Sequence, residues 1–332
     1  MPPIRDVMPA FELFQPASVA DTLGVLNRHG ADAWVMAGGN DTFDWLKDRI
    51  KKPKVVVDLT NVNELRGIKD AGGGLEIGST TTLTTIAHDA MVKERFPLLA
   101  DAALLVASPQ IRNVSTLGGN VSQDARCWYY RSGLNCYRAG GNTCFADTPA
   151  GQNREHAIFD ASRCIAVSPS DTAPALVVLE AKMVIKTAKA ERVVDAEQYF
   201  IGPAVDITHM TVLKPNELLT AIRIPAKWAG AKFYFEKVAD RNTWDFALVN
   251  VASALKVNNG TIEAARVACG GVSCTPRFIK VVEEVVKGSK QDDETATLAG
   301  KTAVHGARPV NFNQFKVPLM ESLVKRAIRD AV

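Results

Sequence analysis

Two glycine pairs and a run of cysteines are the residues of this 332-residue chain whose types and spacing point to chemistry. Ala37-Gly38-Gly39-Asn40-Asp41 and Thr116-Leu117-Gly118-Gly119-Asn120 each place adjacent glycines before a polar residue. Lacking Cβ atoms, such a turn lets backbone close on an anion and aim N–H groups at it, so both read as phosphate-cradling loops. A plain tight turn is the alternative for each. Their occurrence twice in one chain favours phosphate. Cys127, Cys136, Cys144 and Cys164 follow the spacing C-x8-C-x7-C-x19-C among glycines, arginines and aromatics. No close C-x2-C pair marks a zinc finger or ferredoxin loop, and four thiolates suit either Zn²⁺ or a [4Fe–4S] cluster. Cys269 and Cys274 flank Gly270-Gly271 and read as small buried residues.

Two further segments carry polar groups of open role. In Pro169-Ser170-Asp171-Thr172-Ala173-Pro174, Asp171 suits a helix N-cap or a carboxylate that accepts hydrogen bonds from sugar or ribityl hydroxyls. Lys237, Arg241 and Asp245 read as a solvated charged run, and the five histidines lack metal-ligand spacing.

The elements that must position these residues can be read in order. Ser18 as N-cap and Gly30 as stop predict a helix between them, and residues 33–36 form a short strand running into the first glycine turn. A helix over 42–48 follows, then strands at 54–59 and 75–78 in a mixed sheet with hairpin connections, and helices at 82–88 and 98–106. Strand alternation returns at 181–186 and 218–225, and the composition changes near Trp228-Ala229-Gly230. Beyond that boundary, strands at 232–235, 246–255 and 262–268 precede helices at 279–286 and 318–328, the pattern of a small α+β domain. G-x-G-x-x-G is absent, which disfavours a Rossmann domain.

Bulk properties exclude several classes. The formal charge of +3 gives no footprint for a polyanion partner. No stretch approaches the roughly 20 apolar residues of a membrane span, and six cysteines in a chain this long are not a secreted disulfide framework. Residues 1–6 lack a charged head followed by an apolar core, so no export signal is expected there.

The two glycine turns, Ala107-Ser108-Pro109-Gln110-Ile111-Arg112-Asn113, the 169–174 segment and Glu217-Leu218-Leu219-Thr220-Ala221-Ile222-Arg223-Ile224-Pro225 together resemble the FAD-binding medium subunit of the molybdenum hydroxylases, the group of xanthine dehydrogenase, carbon monoxide dehydrogenase and aldehyde oxidoreductase. The insert with Arg126-Cys127-Trp128-Tyr129 is similar to the bacterial aldehyde oxidoreductase branch, whose flavin subunit carries a [4Fe–4S] cluster. The resemblance implies an α+β fold: a two-lobed FAD-binding domain of the vanillyl-alcohol-oxidase type over 1–226, with the cysteine insert at about 122–168, and the family's C-terminal domain over 227–332. Residues 37–41 and Thr116, Gly118, Gly119 and Asn120 would hold the FAD diphosphate, and Ser170 and Asp171 the ribityl or ribose hydroxyls. Leu218 or Leu219 would pack near the isoalloxazine, with Lys237 at its polar edge. Cys127, Cys136, Cys144 and Cys164 would bind the cluster.

The implied activity is electron transfer within a heterotrimer. A molybdenum-cofactor large subunit and a small subunit with two [2Fe–2S] clusters would deliver electrons to this chain for an external acceptor, with an aldehyde as the first-choice substrate. The compartment would be the cytoplasm, or the periplasm by co-export with a signal-bearing partner.

Overall fold

The computed structural model describes residues 8–332; the stretch read for an export signal lies outside the described residues. The described residues form three sheets, two in the N-terminal domain and one in the C-terminal domain. The first is a parallel sheet in the order Glu12–Phe14, Val55–Asp58, Ala33–Met36. Its middle strand, Val55-Val56-Val57, is buried on both faces, as β-branched residues in a parallel strand should be. The helix Val19–His29 covers one face. The Ser18 side chain accepts the Asp21 N–H at its start, and Gly30 ends it at φ +50°, a region open to glycine.

The second lobe is a five-stranded antiparallel sheet in the order Ile68–Ala71, Gly74–Gly78, Leu218–Ile224, Lys182–Lys186, Glu191–Asp195. The parallel and antiparallel pairings therefore sit in separate sheets, with Val55–Asp58 in one and Gly74–Gly78 in the other. Leu218–Ile224 enters the middle of this sheet from far along the chain and so carries Leu218 and Leu219 to the seam between lobes.

The C-terminal domain is a four-stranded antiparallel sheet, Arg277–Phe278, Thr261–Gly270, Val249–Asn258, Lys232–Val238, packed against the helices Lys280–Val286, Asp293–Ala303 and Lys316–Arg329. The helix Thr172–Val178 is buried at all seven positions. It shares one apolar core with the antiparallel lobe on one side and Ala252, Ala254 and Ala268 of the C-terminal sheet on the other. The two domains are thus packed together around it.

Between the lobes runs the cysteine segment, which has little regular structure: one turn of helix at Trp128–Arg131 and a tight turn at Tyr137–Ala139. Side chains hold it in place. The Arg131 guanidinium stacks on Trp45 at 3.8 Å, and the buried Arg138 pairs with Asp124 and donates to Ile207 O at 2.9 Å. Among the described residues no helix is long and apolar enough to cross a membrane.

Candidate functional site

The two glycine turns face one cleft of about 880 Å³, inside the roughly 300–1,000 Å³ range of ligand clefts. The parallel lobe supplies Ala37, Gly38, Gly39, Asn40 and Asp41. The facing wall supplies Thr116, Gly118, Gly119 and Asn120, the seam supplies Leu218 and Leu219, and Asp171 closes one side. These residues were all singled out from sequence.

The glycines have reasons beyond the one expected. A Cβ on Gly38 would lie 2.1 Å from the Val114 carbonyl oxygen, and one on Gly118 would lie 2.8 Å from Ser79 O, so both permit backbone to pass against backbone. Gly39 holds φ +78° at the start of the helix Asn40–Lys47, whose first N–H groups have no intrahelical acceptor. In the second turn the expectation of N–H groups aimed at an anion is not met. Gly118 N–H donates to Ser79 O at 2.8 Å, Gly119 N–H to Thr116 Oγ1 at 3.1 Å and Asn120 N–H to Thr116 O at 2.8 Å. The Thr116 hydroxyl caps the helix Leu117–Ser122 and consumes the donor that the turn was expected to present.

Asp171 and Lys237 are brought together. Lys237 Nζ lies 2.6 Å from Asp171 Oδ2 and donates to Leu105 O at 3.0 Å and Asp245 O at 2.7 Å. Asn250 Nδ2 donates to Asp171 Oδ1 at 2.9 Å. Asp171 occupies the N-cap position of Thr172–Val178 without capping it; Ser170 Oγ accepts the Ala173 N–H instead and donates to Asn120 Oδ1 at 2.6 Å. Burial pushes the Asp171 carboxyl above its ordinary value, against the pull of the ammonium. Ser170 and Lys237 stand behind the cleft wall and act on it through Asn120 and Asp171.

Sequence reasoning missed other lining residues. Ser79 Oγ, Thr80 Oγ1 and Arg126 Nε all border the cleft, are buried, and have no hydrogen-bond partner within the protein. These three atoms leave the cleft wall with hydrogen-bonding capacity that a polar ligand can use. Trp244 and Phe246 complete the rim from the C-terminal domain. The Trp244 N–H donates to Ala107 O at 2.8 Å, and both residues have φ in the left-handed region. The signal in the sequence was faint, since only tertiary folding unites these residues.

A second, small pocket is lined by Cys127, Cys136, Cys144 and Cys164 together, with His156, Tyr129, Tyr130 and Arg138 among its other walls. His156 Nε2 lies 3.3 Å from Cys127 Sγ, and burial pushes its imidazole down to about 4. Burial also pushes the Cys127 thiol up to about 11 and raises Cys164. Among the described residues no three His, Cys, Asp or Glu side chains are grouped to hold a metal ion. Cys269 and Cys274 are buried in the C-terminal domain, as expected.

Comparisons with known proteins cover nearly the whole chain. Residues 9–227 match the family model described as the FAD binding domain in molybdopterin dehydrogenase, and residues 234–331 match the CO dehydrogenase flavoprotein C-terminal domain. The chain is 31% identical to the aldehyde oxidoreductase FAD-binding subunit of Escherichia coli over 89% of this chain and 90% of that protein. It is 27% identical to the carbon monoxide dehydrogenase medium chain of Hydrogenophaga pseudoflava, over 98% of each chain. The solved structure of that organism's carbon monoxide dehydrogenase superposes with a TM-score of 0.78 at 27% identity, covering 98% of each chain. Quinoline 2-oxidoreductase from Pseudomonas putida 86 superposes at 0.77 with 26% identity, again over 98% of each chain.

Proposed function

The chain belongs to the FAD-binding medium-subunit family of the molybdenum hydroxylases, and from that premise we propose that it is the electron-transfer subunit of an aldehyde-oxidising complex. As a member of that family it is part of an oxidoreductase. The observation that carries the finer reading is the cleft itself: it has the volume for a large ligand, three unpartnered buried polar atoms, and apolar Leu218 and Leu219 on one wall. The residues fit FAD. Ala37, Gly38, Gly39 and Asn40, with the start of the Asn40–Lys47 helix, would hold the diphosphate, where helix-end N–H groups favour negative charge. Thr116, Gly118, Gly119 and Asn120 would form the close-packed opposite wall, and Asp41 would stiffen the first turn by binding Arg131 at 2.5 Å.

Asp171 keeps lone pairs for a ribityl or ribose hydroxyl while Lys237 and Asn250 fix its plane, and Ser170 orients Asn120. Leu218 and Leu219 exclude water from the ring face. Bound there, FAD supplies exchange between one-electron and two-electron chemistry. The proposed partners are a molybdenum-cofactor subunit and a subunit with two [2Fe–2S] clusters, with an external acceptor beyond. The aldehyde assignment is supported by the likeness to the E. coli aldehyde oxidoreductase subunit.

The cysteine pocket is proposed to hold a [4Fe–4S] cluster that braces the insert and tunes its contact with the cleft. Each of four cysteines binds a different iron in such a cluster, so they need to surround one pocket without converging on a single ion. Tetrahedral Zn²⁺ would instead draw the four sulfurs to within about 4 Å of one another around a single ion. Analysis of the purified chain should find one FAD and about four iron atoms, with iron lost in Cys127→Ser. Zinc without iron overturns the cluster, and turnover of an organic substrate by the isolated chain overturns the subunit role.

A further inference from the structure

The charge balance of the cleft leaves a diphosphate without a protein cation, except at one residue. The described lining carries the carboxylates Asp41, Asp44, Asp171, Glu217 and Asp245, and a single Lys or Arg, Arg126. The second glycine turn spends its N–H groups inside the protein. An anion seated among carboxylates is costly unless a cation pairs with it. Arg126 sits where it can do so. Its Nη2 lies 2.9 Å from Asp41 Oδ1 in the first turn, its guanidinium lies 4.9 Å from the centre of the Phe246 ring, and its Nε is buried with no partner. Asp41 Oδ1 is also held by Arg131 Nη2 at 2.5 Å, and Arg131 is itself fixed over Trp45, so Asp41 stays compensated if Arg126 turns to another anion.

The geometry points to Arg126 as the cationic ligand of the cofactor's diphosphate, delivered into the flavin cleft by the cysteine insert. The inference rests on the flavin reading of that cleft. The Arg126 fork of N–H donors can bind phosphate oxygens in pairs and brings a full positive charge, which a backbone turn lacks. Arg126 precedes Cys127, which lines the thiol pocket, so one peptide bond joins the two sites.

The test compares the full-length chain with Arg126→Met after flavin removal, titrating each with FAD and with riboflavin, which lacks the diphosphate, and following flavin fluorescence. FAD affinity should fall on the order of 10- to 100-fold while riboflavin affinity holds, and Arg126→Lys should recover part of the loss. Equal weakening of both ligands, or unchanged FAD affinity, overturns the assignment alone. If the unaltered chain binds neither ligand, the flavin reading falls and takes the assignment with it.

Discussion

At Gly38 an added methyl would lie 2.1 Å from the Val114 carbonyl oxygen, a backbone atom that can yield only by moving the loop it belongs to. Gly38→Ala should therefore displace the segment leading to the second turn and cost about 1–3 kcal/mol, as overpacking does. A thermal melt together with the FAD-to-protein ratio checks it: both should drop, and an unchanged ratio would remove Gly38 from the site. Ser79 is a contrasting case. Its hydroxyl makes no bond within the protein, so Ser79→Ala should leave the flavin-free chain within about 0.5 kcal/mol of the original. The loss should instead appear as weaker FAD binding in a titration. The glycine pairs were legible because paired glycines are conspicuous in any sequence. Ser79, Thr80 and Arg126 were not, since nothing local distinguishes them from other polar residues until the fold brings them to one wall.

Among the elements, the cysteine insert depends most on single side chains. Asp124 sits between Arg138 and Lys51, whose Nζ is 3.1 Å away. Desolvation works to raise its pKa, but Arg138 and Lys51 outweigh it and hold the carboxyl below the ordinary Asp value. A depressed acid stabilises the fold above its unfolded pKa of about 3.9, and that stabilisation is lost as pH falls through the lower folded value. Asp124→Asn should thus cost about 3 kcal/mol near neutral pH, because it strands the buried Arg138. Denaturant melts at stepped pH should show the gap to the unaltered chain closing below about pH 4; a gap that persists into acid would deny Asp124 its charged role. Elements with strong local signals were legible: Val55–Asp58 by its valines, Val19–His29 by its caps. The helix Asp293–Ala303 was not. Glycine and threonine are weak helix formers, and Gly300 is there because a Cβ would meet Glu321 O of the neighbouring helix at 2.6 Å.

For the whole molecule, the question is what joins two domains around one cleft. Lys237 reaches from the C-terminal sheet to Asp171 and Leu105 O of the first domain, with Asp171 and Lys237 side chains only 4% and 7% exposed. Lys316 also crosses: it is fully buried and donates to Glu155 O, His156 O and Gly271 O at 2.9, 3.1 and 2.6 Å. Removing one member of a buried pair leaves the other uncompensated, so Asp171→Leu and Lys237→Met should each cost about 3–5 kcal/mol. In a double-mutant cycle read by denaturant unfolding, the double variant should cost well below the sum; simple additivity would show that the two charges do not interact. Sequence singled out Asp171, whereas Lys237 read as part of a solvated charged run, a reading its buried side chain corrects. Their pairing was hidden, because it depends on how the all-buried helix Thr172–Val178 seats one domain on the other.

The most direct measurement is a crystal structure of the chain with FAD. The account predicts diphosphate oxygens at about 3 Å from the backbone of Gly39 and Asn40, with Arg126 turned toward them and the ring system against Leu218 and Leu219. FAD bound elsewhere, or a cleft that excludes it, would contradict the account.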